Sequence, residues 1–240
     1  MEESFSPEGF QVKPIGWIRS DFQQKFGTPR QATLAANSRA HVELAPEYKG
    51  RGIFQGLESF SHVWVVSYMH LSQFKKKTVK VRPPRLGGAK VGVMGSRSPD
   101  RPNNIGLSLS RIVSCEGDDL RLAEIDLVDG TPILDLKPYL SQADRPEVFS
   151  DGWTAKVPPR DRVCEFSEKA AQDLEELASQ RKVQEPTRLR ALIEEMIRLD
   201  PRAPAYLDRK DAQFAVWVAG LNVRFRFHDE RFTVTDVEPI

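Results

Sequence analysis

Residues 107–127 read LSLSRIVSCEGDDLRLAEIDL. Apolar and polar side chains alternate on both sides of Gly117-Asp118-Asp119, a pattern typical of two antiparallel strands joined by a turn. Similar short apolar segments occupy the first 135 residues: Val12–Ile18, His41–Leu44, Val63–Tyr68, Lys90–Met94, Leu107–Val113 and Leu120–Leu127. Turns rich in Pro and Gly separate them, and no helical pattern of ordinary length intervenes. The sequence therefore predicts a β-barrel or sandwich and argues against a doubly wound parallel sheet.

A second region begins after about Asp151. Ser167 is a candidate cap for a helix over residues 168–181, and Thr187 for a second helix that ends before Pro201. Three apolar segments then predict an antiparallel meander: Phe214–Val218, Asn222–Phe227 and Phe232–Val237. We thus expect a mainly β protein, with an N-terminal β-barrel domain over residues 1–150 and a small α+β domain over residues 160–240.

The composition is that of a folded, nearly neutral protein. The 240 residues include 35 basic and 34 acidic side chains, and 40% are hydrophobic. No segment approaches the roughly 20 apolar residues of a membrane helix, and the first residues are acidic where a signal peptide is basic. These features predict a cytoplasmic protein without a membrane partner.

A metal site is not expected. Cys115 and Cys164 are far apart in sequence, which supports neither a disulfide framework nor a structural zinc site. His62 and His70 flank one predicted strand and would lie about 26 Å apart at a rise of about 3.3 Å per residue. That separation is too large for a shared metal ion.

Charge is segregated along the chain. Residues 72–101 contain nine basic side chains and one acidic, whereas residues 102–147 contain four basic and nine acidic. A basic run followed by an acidic one suggests a phosphate-facing rim beside a site for a cationic ligand. The alternative is a solvated loop with no partner.

Four loops combine Pro and Gly with Arg, Asn or Asp: Gly27–Gln31, Arg82–Gly88, Gly95–Gly106 and Asp126–Pro132. Pro and Gly fix backbone geometry, so Arg97, Arg101, Asn103 and Asp129 would be presented on stiff loops, as a preorganised ligand site requires. The G-x-G-x-x-G and G-x-x-x-x-G-K-[ST] nucleotide motifs, the G-x-S-x-G elbow and the H-E-x-x-H motif do not occur. If the chain handles a nucleotide, it uses another geometry.

These motifs resemble the TsaA/TrmO-like family, bacterial tRNA N6-threonylcarbamoyladenosine methyltransferases. The resemblance spans nearly the whole chain, in order. It is carried by Ile15–Ser20, Phe26–Gln31, Gly56–His62, Arg82–Gly88, Gly95–Gly106, Leu127–Pro132, Asp135–Tyr139, Asp200–Arg202, Pro204–Tyr206 and Phe214–Phe227. Two positions depart from the family pattern. Asn104 replaces the second proline of Arg-Pro-Asn-Pro-Ile-Gly, and Ala203 interrupts Asp-Pro-Arg-Pro-Ala-Tyr, which puts the geometry of Tyr206 in question.

The resemblance implies a non-Rossmann β-barrel that binds S-adenosylmethionine between the subunits of a homodimer. The implied reaction methylates N6 of threonylcarbamoyladenosine at position 37, beside the anticodon of tRNA, threonine tRNA in particular. The cofactor contacts that it implies are Pro29, Arg30, Gln31, His70, Leu71, Arg97, Leu107, Asp126, Leu127, Asp129, Gly130 and Thr131.

The residue chemistry is compatible with this activity. Carboxylates suit the positive end of the cofactor, and Arg30 suits its carboxylate. Methyl transfer to nitrogen needs alignment and no covalent nucleophile, and no catalytic residue is identified. The basic run would follow the tRNA anticodon stem-loop, with Tyr206 stacked on a base or packed in the small domain. The residues expected to contact tRNA are Lys75, Lys76, Lys77, Lys80, Arg82, Arg85 and Tyr206. Two alternatives stay open, a non-catalytic RNA-binding barrel and a small-molecule methyltransferase.

Overall fold

A six-stranded antiparallel barrel forms the first part of the molecule. The computed structural model describes residues 11–72, 79–157, 161–202, 206–207, 209 and 212–240. The barrel strands are β1 (Gly16–Ser20), β2 (Arg39–Leu44), β3 (His62–Tyr68), β6 (Ile105–Glu116), β7 (Asp119–Ala123) and β8 (Pro132–Pro138), in the closed order β1-β2-β7-β6-β3-β8. Between β3 and β6 the chain makes a small ribbon of β4 (Lys80–Val81) and β5 (Val91–Gly92). The predicted mainly β fold is confirmed.

Alternation of side chains builds the barrel interior. On β3, Val63, Val65 and Ser67 are fully buried, while the residues between them face outward. The facing positions of β6 are small, because Gly106, Ser108 and Ser110 fill the same side. The rest of the core is aliphatic and includes Ile18, Val42, Leu120, Leu122 and Ile133.

One barrel strand was absent from the sequence prediction. β8 pairs with both β1 and β3 and closes the sheet. Of its residues only Ile133 is buried, and proline stands at each end, where it suits a strand terminus and also resembles a loop. The predicted strand over Leu120–Leu127 ends earlier, at Ala123, because Glu124 adopts a left-handed conformation with φ of 57°.

The second part of the chain is an α+β unit. After the short helix α1 (Ser141–Asp144), it contains β9 (Val163–Phe166), α2 (Glu168–Ser179), α3 (Pro186–Arg198), β10 (Gln213–Val218), β11 (Leu221–His228) and β12 (Arg231–Pro239). The predicted meander is present, and β9 adds a fourth strand parallel to β12. Asp229 and Glu230, both with positive φ, form the tight turn between β11 and β12.

The two predicted helices are present, with one cap corrected. The Ser167 hydroxyl accepts a hydrogen bond from the Ala170 N–H at 3.1 Å, as expected of an N-cap. The second helix begins earlier than predicted, since Glu185 is the cap residue and Pro186 occupies the first turn, where the missing N–H costs nothing. The prediction of Thr187 as its cap was wrong.

The barrel and the α+β unit share a continuous core. Phe22, just beyond β1, makes a β-bridge with Val218 at the end of β10. Arg188 of α3 contacts the Asp21 carboxylate at 2.9 Å, and both side chains are nearly buried. The predicted division between residues 150 and 160 stays a prediction. Among the described residues no helix is long and apolar enough to cross a membrane.

Candidate functional site

Three long connections meet at one end of the barrel. In an antiparallel barrel every second connection lies at the same end, which here places together the links β1–β2, β3–β6 and β7–β8. These links contain all four loops that the sequence predicted to carry a ligand site. The opposite end carries the β6–β7 hairpin at Gly117.

A chain of polar contacts joins the first two connections. The Arg97 guanidinium donates to the Gln31 side-chain oxygen, and the Gln31 amide donates to the Arg30 carbonyl. Arg30 and Arg97 are exposed, while Pro29 is buried beneath them. The Arg97 guanidinium and the Gln31 amide therefore lie within hydrogen-bonding reach of each other at this end of the barrel, next to Arg30 in sequence.

The half-buried Asp126 provides the negative charge of the site. Its carboxylate accepts a hydrogen bond from the Ser108 hydroxyl at 2.5 Å and another from the Ala32 backbone N–H. Burial raises the pKa of Asp126 above its ordinary value, and the hydrogen bonds and the positive charge of Arg97 oppose that rise only in part. A cation bound beside it would favour its ionised form.

The segment after β3 is held by both neighbouring loops. The Met69 N–H donates to the Asn104 carbonyl at 2.8 Å, and the Lys25 ammonium donates to the Leu71 carbonyl at 2.8 Å. His70 and Leu71 are exposed between these anchors. Desolvation lowers the pKa of His70 below its ordinary value, so the imidazole is neutral at pH 7.

The two arginines of the Gly95–Gly106 loop have different roles. Arg101 turns inward and donates to the Ser96 carbonyl at 2.8 Å and to the Val93 carbonyl at 3.3 Å. The expectation that Arg101 is presented to a ligand is therefore wrong, since its guanidinium holds the loop together. Arg97 and Asn103 remain exposed.

The Asp126–Thr131 loop is an extension of the sheet. The Asp129 N–H donates to Phe22 O, and the Asp129 carboxylate accepts from the Ser20 N–H at 3.0 Å and lies 3.7 Å from Arg19. Gly130 N–H donates to the Ile18 carbonyl at 2.8 Å.

Two side chains of the predicted cofactor set are buried. Leu127 is 1% exposed and Thr131 is 2% exposed. The Thr131 hydroxyl donates to the Val128 carbonyl at 2.6 Å. These side chains belong to the barrel core. Of these two residues only the backbone is left for a ligand.

Three described cations of the basic run lie on or next to the β4–β5 ribbon without an ion-pair partner. Lys80, Arg82 and Lys90 are exposed, and none forms an ion pair with a carboxylate in the described ranges. Arg85 lies over the Trp153 ring at 5.8 Å, and the Trp153 indole donates to the Gly95 carbonyl at 2.9 Å. Lys75, Lys76 and Lys77 lie outside the described residues.

Tyr206 has features of both predicted roles, packing in the small domain and stacking on a base. Its ring meets Phe214 edge-on at 6.4 Å, yet 41% of the residue is exposed. The Arg209 guanidinium lies 4.8 Å from the same ring. Packing and an exposed stacking face therefore coexist at this residue.

Sequence reasoning missed Ser108, Lys25 and Trp153. Ser108 was detectable in principle, as a polar residue at an inward position of an alternating strand. Nothing local in the sequence marks the other two, because their partners Leu71 and Gly95 lie 46 and 58 residues away. Within the described part of the chain no cluster of His, Cys, Asp or Glu could hold a metal ion.

The two parts of the chain match two family models. Residues 17–145 match the tRNA-methyltransferase O N-terminal domain, and residues 159–240 match the TrmO C-terminal domain. The chain belongs to the TrmO family. The resemblance drawn from its motifs is therefore confirmed.

Two named relatives and one solved structure resemble this chain over 81% or more of its length. The tRNA (adenine(37)-N6)-methyltransferase of Escherichia coli K12 is 37% identical over 237 residues, covering 96% of this chain and 98% of its own. A putative S-adenosylmethionine-dependent methyltransferase, RcsF, of Pseudomonas aeruginosa is 42% identical over 81% of this chain and 82% of its own. The crystal structure of Pseudomonas aeruginosa TrmO superposes with a TM-score of 0.80 at 32% identity, covering 99% of this chain and all of that one.

Proposed function

We propose that the chain is an S-adenosylmethionine-dependent methyltransferase that acts on N6 of the adenine at position 37 of tRNA. The observation that carries the proposal is the convergence of the Arg97–Gln31 pair and Asp126 at one barrel end, where Arg97 shares the β3–β6 connection with the unpaired cations of the β4–β5 ribbon. The names of the relatives support methylation of adenine 37 in tRNA as the reaction and S-adenosylmethionine as the cofactor.

The donor set of the barrel end fits S-adenosylmethionine. The cofactor has a sulfonium and an ammonium group, which suit the carboxylate of Asp126, and a carboxylate, which suits the guanidinium groups of Arg30 and Arg97. The exposed side chains of Leu71 and Leu107 offer apolar contact for its adenine. When bound, the cofactor supplies an electrophilic methyl group. The contacts of Pro29, Gln31, His70 and the Asp126–Thr131 loop are part of this proposal.

Alignment is the main contribution expected of the protein. An in-line transfer between two held groups gains up to about 7–11 kcal/mol from orientation in favourable cases. We infer that the acceptor is threonylcarbamoyladenosine, in threonine tRNA in particular, because its carboxylate would pair with the exposed guanidinium of Arg97 at the rim. The position beside the anticodon also leaves the base accessible without opening a helix. A tRNA substrate implies a cytoplasmic location.

The tRNA is proposed to approach along the ribbon. Lys80, Arg82 and Arg85 are described there, and we assign the phosphate contacts to them together with Lys75–Lys77. Tyr206, with its exposed face and its neighbour Arg209, would stack on a base of the anticodon stem-loop.

The homodimer is proposed on the outer face of β3 and β6. Tyr68 pairs with Ile105 and Val66 with Leu107, so these side chains project from the same outer side of the two strands. Tyr68, Ile105 and Leu107 are 44%, 43% and 59% exposed, an unusual concentration of apolar surface. Because Leu107 is also a proposed cofactor contact, a second subunit on this face would border the cofactor site.

The cofactor is tested by calorimetry with S-adenosylmethionine. We expect binding to the wild type and at least tenfold weaker binding to Arg97→Ala, which removes a charge-assisted partner. Arg121→Ala is the matched control, because Arg121 follows the hairpin at the other barrel end and pairs with Asp119. A properly folded wild type that gives a flat titration would exclude the methyltransferase and favour the non-catalytic RNA-binding barrel.

The substrate is tested by mass spectrometry of tRNA nucleosides from a deletion strain. We expect loss of the methylated threonylcarbamoyladenosine alone, restored by the wild-type gene and not by Arg97→Ala. An unchanged nucleoside profile would reject tRNA as the substrate and favour a small-molecule methyltransferase.

The dimer is tested by sedimentation. Ile105→Glu is expected to give a monomer, whereas Val113→Glu, at a position on the same strand that is 46% exposed, should leave the dimer intact. A wild type that sediments as a monomer at micromolar concentration would contradict this part of the proposal.

A further inference from the structure

The loop that contains Arg30 rests on the α+β unit. The Arg30 Nη2 atom donates to the backbone carbonyl of Asp200 at 3.4 Å. Three residues earlier, Gly27 has φ of 89°, and a Cβ there would lie 2.7 Å from Val216 Cγ1 and 3.3 Å from Met196 Cε. Only glycine permits both the conformation and the approach. One part of the proposed cofactor site is therefore positioned by α3 and β10 and not by the barrel alone.

Asp200 adopts an unusual conformation where it meets this loop. It follows α3, has φ of 55°, and donates its N–H to the Ile197 carbonyl at 3.0 Å. Glycine usually takes this left-handed position after a helix, since a side chain is strained there. An aspartate that is only 2% exposed at such a position needs a reason beyond the turn itself.

The reason lies in the side chain of Asp200. Its two carboxylate oxygens accept hydrogen bonds from Arg202 at 2.7 and 3.0 Å. Arg202 is also 2% exposed, and its guanidinium lies 3.7 Å from the centre of the Phe227 ring. A buried ion pair of this kind is often no more stabilising than apolar residues of the same volume, so stability alone does not account for it.

We propose that the Asp200–Arg202 pair is a positioning element for the cofactor loop. The pair fixes the left-handed turn, the turn aims the Asp200 carbonyl at Arg30, and the carbonyl holds the Arg30 guanidinium where it meets the cofactor carboxylate. The inference rests on the proposed function in taking Arg30 as a cofactor contact. Arg202 is buried against Asp200 and Phe227 and acts through Asp200, so it is a positioning residue.

The test compares a variant that keeps a side-chain acceptor at residue 200 for Arg202 with a variant that removes both partners. Asp200→Asn keeps a side-chain acceptor and tolerates the left-handed conformation, so its Kd for S-adenosylmethionine should stay within about threefold of wild type. The double variant Asp200→Gly with Arg202→Met permits the left-handed conformation but removes the ion pair that fixes it. We expect its Kd and its KM for the cofactor to rise about threefold to tenfold, the effect of one lost hydrogen bond. Its kcat and its KM for tRNA should change by less than about twofold.

Arg198→Met is the matched control. Arg198 ends α3 and pairs with the exposed Asp161 at 2.6 Å, without contact to the cofactor loop. It should leave the cofactor Kd unchanged. Unfolding midpoints are measured for every variant, and binding is measured well below the lowest of them.

A double-mutant cycle separates positioning from general loss of structure. In an Arg30→Ala background the double variant should weaken cofactor binding no further, because the group it positions is absent. Additive losses would overturn the inference. The inference is also overturned if Arg30→Ala weakens cofactor binding in the otherwise wild-type protein and the double variant does not. In that case the proposed function stands. A wild type that does not bind the cofactor overturns both.

Discussion

Asn104 stands where the family pattern has a proline, and we expect that restoring the proline destabilises this chain. The Asn104 backbone has φ of 51°, whereas the ring of proline holds φ near −65°. The Asn104 N–H donates to the Arg101 carbonyl at 3.2 Å, and its side-chain amide donates to the Pro99 carbonyl at 3.0 Å. Asn104→Pro removes both donors and forbids the observed conformation.

The two lost hydrogen bonds account for about 1–3 kcal/mol, and the incompatible backbone adds about 1–3 kcal/mol before the loop relaxes. Since an exposed loop relaxes in part, we expect a loss of about 2–4 kcal/mol in the free energy of unfolding. For a chain of this size that corresponds to a Tm lower by roughly 5–15 °C. The same change moves the Asn104 carbonyl away from the Met69 N–H, so the KM for S-adenosylmethionine should rise as His70 and Leu71 shift.

Denaturant unfolding measures the stability and steady-state kinetics measure the KM. Asn104→Gly keeps the positive φ and loses only the side-chain donor, so its loss should be about 1 kcal/mol or less. Asn103→Ala, an exposed neighbour, should lie within about 0.5 kcal/mol of wild type. If Asn104→Pro were as stable as Asn104→Gly and had the KM of the wild type, the reasoning from the backbone conformation would be refuted.

Three further changes test the site and its supports. Burial raises the pKa of Asp126 in the folded protein above its ordinary value of 3.8. The wild type should therefore lose stability relative to Asp126→Asn as the pH rises from near 3.8 through the pKa of the folded state. Urea midpoints of the two proteins that differ by the same amount at every pH would contradict this. Arg188→Met leaves the Asp21 carboxylate without its ion-pair partner and should lower the free energy of unfolding by roughly 3 kcal/mol, against about 0.5 kcal/mol for the exposed Arg190→Met. Equal losses in chemical denaturation would show that the Arg188–Asp21 pair stabilises the fold no more than a surface pair does. Gly106→Ala puts a methyl group into the Met69 side chain and should cost about 1–3 kcal/mol and raise the cofactor KM, whereas an unchanged Tm would show that the barrel end accommodates it.

Local chemistry made the barrel and its loops predictable. The alternation in β3, β6 and β7 and the turn residues between them are properties of short segments, and they were sufficient for the fold class. β8 was missed because prolines at residues 132 and 138 carry a loop signal that the short apolar and polar pattern of Leu134 to Lys137 does not outweigh in sequence alone. Its strand character depends on pairing with β1 and β3.

The candidate site was predictable as a set of loops but not in its internal roles. Arg97 and Arg101 are the same residue type on one loop, yet Arg97 faces outward and Arg101 binds backbone carbonyls. The direction of each side chain is decided by carbonyls that the folded loop brings near it. The contact between Arg30 and Asp200 spans 170 residues, and no local pattern encodes it.

Pairing of charges offers a further argument for the direction of tRNA approach. The formal net charge is only +1, so the molecule as a whole exerts little attraction on a polyanion. Arginines elsewhere, such as Arg111 and Arg224, contact carboxylates, whereas Lys80, Arg82 and Lys90 have no acidic partner within the described residues. A steep salt dependence of tRNA binding would then arise from the ribbon and not from the overall charge. Replacing these three cations with glutamine should reduce the slope of log K against log salt concentration by about two to three, at about 0.7–0.9 per phosphate contact. An unchanged slope would place the phosphate contacts on another surface.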